Sequence, residues 1–417
     1  MRRELAIVAV ALAAGVGACG GQETPLRIGV VVDCMGINRS LKAAEVSGAQ
    51  HPLLARGAEL RGDMLTGARV AGRRVELVPA CTEALEFSVL ERELRRLAED
   101  EKVDAIVAAG TGPDEIVMRD VARTHPGVTF VAVVHGPREV TLHRPAPNLY
   151  RFVADYAQGV AGLATYAYRT LGWRTASVVA YNWDLGWASR DAFATEFCSL
   201  GGRVVDQVLV NAFDPKGGDV RRLRHRADGI AVFAPWLAAP VPFLRRLAGA
   251  EGDAARRVVL GPGVIDDPRL LAAASGGLDG VVGSSNRDPE RLRAFVARHA
   301  TYFPGIPGAV AASEAVTGYS DAVEGVLEAL ERAGGRPERL RAELGHGRTD
   351  LLGGPVRLDD RRQAVVSTSL VRVDAADGAP VTLRRVGERA GVDQSLGGLL
   401  PDDLRPRDGD AACGAGA

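Results

Sequence analysis

Short apolar runs alternate with amphipathic segments along most of the chain. Runs such as 26–33 (LRIGVVVD) are apolar at successive positions, which is typical of strands that are buried on both faces. Segments between these runs, such as 85–100, carry apolar residues at helical spacing. Strands that alternate with helices of this length require parallel sheets with right-handed crossovers. The pattern therefore predicts an α/β protein.

This alternation of predicted strands and helices occurs in one series before residue 150 and in a second series after it. The predicted strands are 26–33, 74–79, 103–109, 129–134, 176–181, 204–210, 229–233, 258–261, 280–283, 354–358 and 365–373. The predicted helices include 52–65, 85–100, 156–171, 188–200, 289–299 and 309–333. A chain of 417 residues exceeds the usual size of one core, so we expect two lobes. Residues 387–417 are rich in Gly, Asp and Pro, which predicts a loose C-terminal tail.

The N-terminus has the layout of a secretory signal peptide. Two arginines precede a short apolar run, and small residues then lead to Cys19; this is too short for a permanent membrane span. Residues 16–19 (VGAC) resemble the bacterial lipobox. That resemblance implies a signal peptide at 1–18, a lipidated Cys19 and a linker at 19–25. The alternative is an ordinary signal peptide with an incidental cysteine. A multiply acylated cysteine would tether an extracytoplasmic protein durably to the membrane.

Composition and motifs exclude several classes of function. The net charge of −1 argues against nucleic acid, which requires a basic face. The glycine-rich stretch 110–115 (GTGPDE) lacks both the Gly-Lys-Ser/Thr ending of a Walker loop and the third glycine of a dinucleotide fingerprint. There is no G-x-S-x-G elbow and no histidine spacing typical of a metal site. The sequence therefore favours binding without catalysis, and without a cofactor or metal.

Several stretches occur in an order and spacing known from one family. They are 26–31 (LRIGVV), 103–111 (VDAIVAAGT), 260–265 (LGPGVI), 280–285 (GVVGSS), 317–322 (TGYSDA) and 352–359 (LGGPVRLD). Together they resemble the bacterial periplasmic binding proteins of the branched-chain amino acid type, which are partners of ABC importers. The stretches 125–131 (HPGVTFV) and 147–153 (PNLYRFV) are also similar to the nucleoside-binding basic membrane lipoproteins, which share the architecture.

The resemblance implies the type 1 periplasmic binding protein fold, in which two Rossmann-like lobes with parallel sheets are joined by three crossings. Lobe 1 would comprise 26–149 and 286–352, and lobe 2 would comprise 150–285 and 353–386. A small-molecule ligand would lie at the carboxyl ends of the strands, and hinge closure would trap it. The protein is then expected to be a monomer that delivers its ligand to an ABC permease. A sensor without a transport role is the alternative.

The resemblance also implies which residues line the cleft in lobe 1. The loop after the third strand carries Thr111 and Gly112, which match the positions that hold a ligand carboxylate. Asp114, in the same loop, could repel a carboxylate or cap the next helix. His135 ends the next strand and faces the cleft in this scheme, although a histidine at a strand end is often structural.

In lobe 2 the candidate residues are mostly aromatic. Trp183 and Trp187 flank Asp184 just after a strand, and Trp236 follows the strand that ends at residue 233. Rings at strand ends could cover an apolar or planar ligand, or they could pack against helices.

The chain departs from the amino-acid binders at Gly263, where those proteins carry an acidic residue that pairs with the ligand ammonium. Asp266 could substitute for that residue. An aromatic acid, a nucleoside or another small metabolite stays open as the ligand.

Four cysteines besides Cys19 permit two disulfides in an exported protein. Cys34 and Cys81 each end a strand, and the two strands are expected to be neighbours, so they could form one bridge. Cys198 and Cys413 would form the other and attach the tail to lobe 2.

Overall fold

The computed structural model describes residues 24–62, 64–109, 112–211, 227–234, 254–267, 278–375 and 381–402. In chain order the strands are β1 Leu26–Asp33, β2 Glu59–Arg61, β3 Met64–Thr66, β4 Arg69–Val70, β5 Arg73–Thr82, β6 Ala105–Ala108, β7 Thr129–Ala132, β8 Leu149–Arg151, β9 Thr175–Tyr181, β10 Arg203–Val210, β11 Gly229–Phe233, β12 Val258–Leu260, β13 Val282–Ser285, β14 Arg348–Leu351, β15 Gly354–Leu358, β16 Ala364–Asp374 and β17 Thr382–Val392. The α-helices are α1 Lys42–Ala55, α2 Phe87–Glu99, α3 Gly112–Thr124, α4 Glu139–Leu142, α5 Leu163–Arg169, α6 Asp184–Ser199, α7 Ala254–Arg257, α8 Pro289–Tyr302, α9 Gly308–Ala311, α10 Glu314–Arg332 and α11 Leu340–His346.

Lobe 1, as we use the term below, is the sheet β4-β5-β1-β6-β7-β8 with the helices that pack on it. Its strands are parallel except for β4. Alternate residues of β1 point to opposite faces, so Ile28 and Val30 join one buried apolar cluster while Val31 joins another, which also contains Leu94 of α2. Helices thus cover both faces of β1, which explains its continuous apolar run.

Lobe 2 is built on the second sheet, with the order β10-β9-β11-β12-β13-β16-β15-β14 and with β17 paired to β16. The strands from β10 to β13 are parallel, whereas β13, β14, β15 and β17 pair antiparallel with their neighbours in the second half of the sheet. Helix α6 packs on β9 and β10. The prediction of two α/β lobes is confirmed, but each sheet is mixed and not wholly parallel.

The chain passes between the lobes at three places. It leaves the first sheet after β8, returns between β13 and α8, and passes again between β14 and β15. The sheets also meet directly, because the backbone N–H of Arg151 donates to the carbonyl of Arg362 at 3.0 Å. Strand β14 was predicted to belong to lobe 1. It packs on α10 of that lobe, but it is hydrogen-bonded to β15 of lobe 2, so it bridges the two.

The predicted helix at 52–65 is wrong. The structure places α1 earlier, at Lys42–Ala55, and residues 59–66 form the hairpin of β2 and β3. Helix α1 buries polar side chains, among them Glu45 and His51, against α10. A helix whose buried face is partly polar has a weak apolar period, and this is why the pattern did not show it.

The predicted loose tail from residue 387 is also wrong over its first part. Residues 382–392 are strand β17, which pairs antiparallel with β16 along most of its length. An outer antiparallel strand is held by backbone hydrogen bonds and can leave its side chains in water. Most β17 side chains are exposed or half-buried, and Val392 alone is buried, so the segment resembled a loop in the sequence. Residues 403–417 lie outside the described residues.

Within the described ranges, no helix combines the length and the apolar character that a membrane crossing requires. The same ranges contain no group of three or more His, Cys, Asp or Glu side chains suited to hold a metal ion.

Candidate functional site

The carboxyl ends of the two sets of parallel strands face each other and are in contact. Gly112, the first residue of α3 in lobe 1, lies directly against the carboxylate of Asp184, the first residue of α6 in lobe 2. A Cβ atom added to Gly112 would meet Asp184 Oδ2. A backbone bridge also joins Gly136 to Asp155. The structure therefore shows the two lobes in a closed arrangement.

Glu115, one turn into α3, forms an ion pair with Arg151 at the end of β8. The side chains of both residues are 1% exposed. Arg151 also donates to Gln363 Oε1 and to the carbonyl of Pro137, both at 3.1 Å. Burial raises the pKa of Glu115 to about 7; Arg151 opposes this rise, and Asp184 adds to it. Only one carboxylate oxygen of Glu115 is paired, because Oε1 has no hydrogen-bond partner.

Asp184 begins α6 because its Oδ1 accepts the backbone N–H of Leu185 at 2.8 Å. Burial raises the pKa of Asp184 to about 6, and the nearby carboxylate of Glu139 contributes to the rise. Among the described residues, no Lys, Arg or His side chain lies within ion-pair distance of it. Asp184 is therefore a carboxylate at the lobe interface that lacks a compensating charge.

His135 links the two lobes from the end of β7. Its backbone N–H donates to Glu314 Oε1 at 2.9 Å, and its Nδ1 contacts the same oxygen. Its Nε2 contacts the side-chain amide of Asn286, on the second crossing. Burial alone would raise the pKa of Glu314, but the charge and hydrogen bonds of His135, together with Arg287, hold it at about 2.

Asp266 contributes a further acid from lobe 2, in the turn after β12. Its Oδ2 accepts the hydroxyl of Ser285 at 3.0 Å and lies 3.7 Å from Arg287 Nη1. Burial raises the pKa of Asp266, whereas Arg287, Ser285 and His135 lower it. The second oxygen, Oδ1, is buried and has no partner.

These groups form one electrostatically coupled set, which we call the interlobe cluster. Its members are Glu115, His135, Arg151, Asp184, Asp266, Asn286, Arg287 and Glu314. It contains four carboxylates against two guanidinium groups and one imidazole.

The structure brings together four of the residues predicted for the site, which are Gly112, His135, Asp184 and Asp266. The predicted residues Thr111 and Trp236 lie outside the described residues.

The two remaining tryptophans take different positions near the interface. Trp183 stacks on Tyr181 with ring centroids 6.3 Å apart, and its buried Nε1 has no partner. Trp187 donates instead to Asn182 Oδ1 at 3.3 Å, on the loop after β9.

Sequence reasoning missed Glu115, Arg151, Asn286 and Glu314. A signal existed for two of them. Glu115 directly follows Asp114, the possible cap of the next helix, and thus lies on the first turn of α3. Arg151 interrupts the apolar stretch 149–153 (LYRFV), where a charge must find a buried partner. The other two come from distant segments, and nothing in the sequence places them beside His135.

A small cavity of about 30 Å³ lies where the crossings meet α10, with Phe152, Asn286 and Gly353 on one side and Glu314 and Asp321 on the other. It has room for one or two water molecules. Burial raises the pKa of Asp321 to about 7, although the backbone N–H of Leu352 and the charge of Arg287 oppose this.

The predicted disulfide between Cys34 and Cys81 is confirmed. β1 and β5 are parallel neighbours, which places the two Cα atoms 5.5 Å apart at the carboxyl end of the sheet. Cys198 is disulfide-bonded as well. Its predicted partner, Cys413, and the predicted lipidation site, Cys19, lie outside the described residues.

A model of the periplasmic binding protein family matches residues 25–379. The chain belongs to this family. Membership confirms the resemblance seen in the sequence, and it confirms a binding protein in place of an enzyme. No curated protein matches the chain.

Solved structures of similar proteins share the fold. An ABC transporter substrate-binding protein from Sphaerobacter thermophilus is 21% identical, with a TM-score of 0.76, and the match covers 89% of this chain and 99% of that one. A solute-binding protein from Rhodopseudomonas palustris, solved with 3,4-dihydroxybenzoic acid, is 21% identical over 88% and 98% of the two chains, with a TM-score of 0.73. A leucine-binding protein from Thermotoga maritima is 19% identical over 88% and 99%, with a TM-score of 0.66.

Proposed function

We propose that this protein is an extracytoplasmic, lipid-anchored receptor that closes on a small molecule, an amino acid or a related metabolite, and delivers it to an ABC importer. The observation that carries the proposal is the interlobe cluster. Glu115, Asp266 and Asn286 each keep a buried oxygen without a partner, and they come from both sides of the interface or from the crossing between them. Buried acceptors are normally hydrogen-bonded, so a ligand with donor groups would complete the site.

Two further observations support parts of the proposal. The solved relatives include binders of benzoates and a leucine-binding protein, so this architecture accommodates small carboxylic acids and amino acids. Asp266 reaches the interface from the turn that follows Gly263, and its unpaired oxygen can accept from an ammonium group. The lipid anchor and the monomeric state rest on the sequence.

Ligand-induced closure is the test. Purified protein lacking residues 1–18 is screened by thermal shift against amino acids, aromatic acids, nucleosides, amides and amines. A ligand that binds only the folded state raises the melting temperature as its concentration exceeds the dissociation constant. Small-angle scattering then measures compaction with each hit. If no compound raises the melting temperature and none changes the scattering, the receptor function is wrong.

Delivery is tested separately from binding. In vesicles that contain a candidate ABC permease with its ATPase, the proposal expects uptake of the bound compound only when this protein is present. Binding without uptake would instead favour the alternative of a sensing lipoprotein or a nucleoside-type receptor without a transport role.

A single variant tests the proposed lipid anchor. Cys19→Ser removes the only thiol that the lipobox can acylate, so we expect the protein to move from the membrane fraction to the soluble fraction of cells. A Cys19→Ser protein that remains in the membrane fraction would contradict lipidation.

A further inference from the structure

The first residue of α3 is covered by a carboxylate that belongs to the protein. The N-terminus of a 13-residue helix carries unpaired N–H groups and a partial positive charge, and it is where a negatively charged ligand group would be expected to bind. In the closed arrangement Asp184 Oδ2 lies against Gly112 at this position. Lobe 2 therefore supplies its own anion where an anionic ligand would otherwise be held.

The interlobe cluster and the adjacent Trp183 hold buried unpaired groups of both kinds, which are the donors Arg151 Nε and Trp183 Nε1 and three acceptors. Glu115 Oε1, Asp266 Oδ1 and Asn286 Oδ1 are buried and lack hydrogen-bond partners. Buried acceptors are normally hydrogen-bonded, so these three oxygens favour a ligand that brings N–H or O–H groups. A ligand carboxylate would instead bring further acceptors and leave these three oxygens unpaired.

The charged groups of the interlobe cluster also favour a ligand with N–H donors over a carboxylate. The interlobe cluster already holds four carboxylates, two arginines and one histidine. Another carboxylate would bring a fifth acid into this buried set, next to Asp184, which has no cation within ion-pair distance among the described residues. Like charges brought together at an interface cost several kcal/mol, whereas a cation would be compensated.

We propose that the interlobe cluster selects a ligand that presents N–H donors, as an amine, amidine or amide does, and that Asp184 excludes ligands with a carboxylate at the α3 end. This inference rests on the proposed function, because it requires that the lobes close on a small molecule. It names Asp184 as the residue that decides between otherwise isosteric compounds.

Matched pairs of compounds test the inference. Benzamidine and benzoate share a planar frame, as do 4-hydroxybenzamide and 4-hydroxybenzoate, and leucinamide differs from leucine only in its carboxyl group. Each is titrated by calorimetry into the wild-type protein, Asp184→Asn and the control Asp360→Asn. Asp360 is an exposed turn residue that is not a member of the interlobe cluster, so the control removes the same formal charge outside that cluster. Circular dichroism and the melting temperature without ligand establish that all three proteins fold.

In the wild type we expect the N–H-bearing member of at least one pair to bind about tenfold or more tightly than its carboxylate partner. In Asp184→Asn that ratio should fall by about tenfold, which corresponds to about 1.4 kcal/mol. Asp360→Asn should retain the wild-type ratio.

Three results would overturn the inference and leave the receptor function standing. The first is a wild type that binds carboxylates as tightly as their partners or more tightly. The second is an Asp184→Asn protein with an unchanged ratio. The third is an Asp360→Asn protein whose ratio changes as much as that of Asp184→Asn. A complete lack of binding and of compaction for every compound in the wider screen would instead remove the receptor function, and this inference with it.

Discussion

The interface between the lobes has two parts, which differ in how completely their buried polar groups are hydrogen-bonded. On the hinge side, three buried glutamines, Gln158, Gln363 and Gln394, have both side-chain amide atoms hydrogen-bonded. On the cleft side, Glu115, Asp266 and Asn286 each keep an acceptor without a partner.

Under the proposed function, the paired groups hold the protein together and the unpaired groups are left for a ligand. A fully paired buried network allows only one arrangement of its segments. Removing any one side chain leaves a buried polar atom without a hydrogen bond, which lowers the stability of the fold. The hinge network joins the first crossing, the start of β16 and the end of β17 through Val153, Ala364 and Val392. An incompletely paired set is tolerated only where a partner can arrive, and the gap between moving lobes is such a place.

Arg151 joins the two parts, and its loss should have the largest effect. Arg151→Met would leave the carboxylate of Glu115 buried without its cation, which costs about 3–5 kcal/mol of unfolding free energy. Chemical denaturation measures the loss. In Glu115→Leu/Arg151→Met the uncompensated charge is gone, so we expect the double variant to recover a large part of the stability. Equal stability of the wild type and the single variant would show that this pair does not stabilise the closed interface.

Gln394 tests the hinge side by itself. Its amide donates to Asp155 Oδ2 at 2.8 Å and to Thr141 Oγ1 at 2.9 Å, and it therefore ties the end of β17 to both lobes. Gln394→Leu should lower the free energy of unfolding by about 1–3 kcal/mol because these partners become unpaired. Val386→Ala, at an exposed position of β17, is the matched control and should change little. A loss no greater than that of the control would mean that residues after β17 do not contribute to the hinge.

Gly112 tests the cleft side. In Gly112→Ala the added methyl group meets the Asp184 carboxylate only when the lobes are closed, so we expect about tenfold weaker ligand binding, equivalent to 1.4 kcal/mol. The melting temperature without ligand should not fall. Gly127→Ala is the control, since a Cβ there has open space. In Gly112→Ala/Asp184→Ala the clash is absent, so non-additivity in this cycle would identify the contact. Additive losses would show that the two residues do not meet on closure.

The pH dependence of closure should show the smallest effect. Burial raises the pKa of Asp184 from 3.8 to about 6, so the closed form retains its proton more tightly than an open form with hydrated Asp184. Closure gains from this below about pH 4 and loses the gain as pH rises through 6. We expect a few-fold fall in the closed fraction between pH 4 and 7, measured by small-angle scattering, and a smaller fall for Asp184→Asn.

Thermal stability is not a suitable measure for that experiment. Burial, with smaller contributions from His299 and Arg298, lowers the pKa of His51 from 6.5 to about 4. His51 therefore favours folding above pH 6.5 and costs stability as pH falls toward 4, which is opposite in sign to Asp184. Scattering reports compaction and separates the two. An identical pH profile in the wild type and Asp184→Asn would contradict a role for Asp184 in closure.

The sequence predicted the elements whose apolar period is strong. Strand β1 and helix α2 appear within two residues of their predicted bounds, since Leu90, Leu94 and Leu97 form a clear buried stripe in α2. Helix α1 and strand β17 were missed because one buries polar side chains and the other buries almost none. Both α1 and β17 are stabilised by packing against segments that are distant in the chain, and the local sequence pattern does not show such contacts.

The candidate site was predictable only in part. Gly112, His135, Asp184 and Asp266 follow strands in the sequence, and they were selected because the family resemblance and the rule that ligands bind at the carboxyl ends of strands both indicated them. Glu314 begins α10, far along the chain, and Asn286 lies on a crossing. Their proximity to His135 depends on how the chain crosses back from lobe 2 to lobe 1.

The amino-acid order by itself determined two α/β lobes, a bridge between Cys34 and Cys81 and a binding function, because strand period, strand-end position and motif order are local properties. Only the tertiary structure decided that Asp184 of one lobe covers the helix start of the other, and that four acids meet two arginines and one histidine in the described part of the interface. These are properties of an interface, and an interface exists only when segments far apart in the chain are brought into contact.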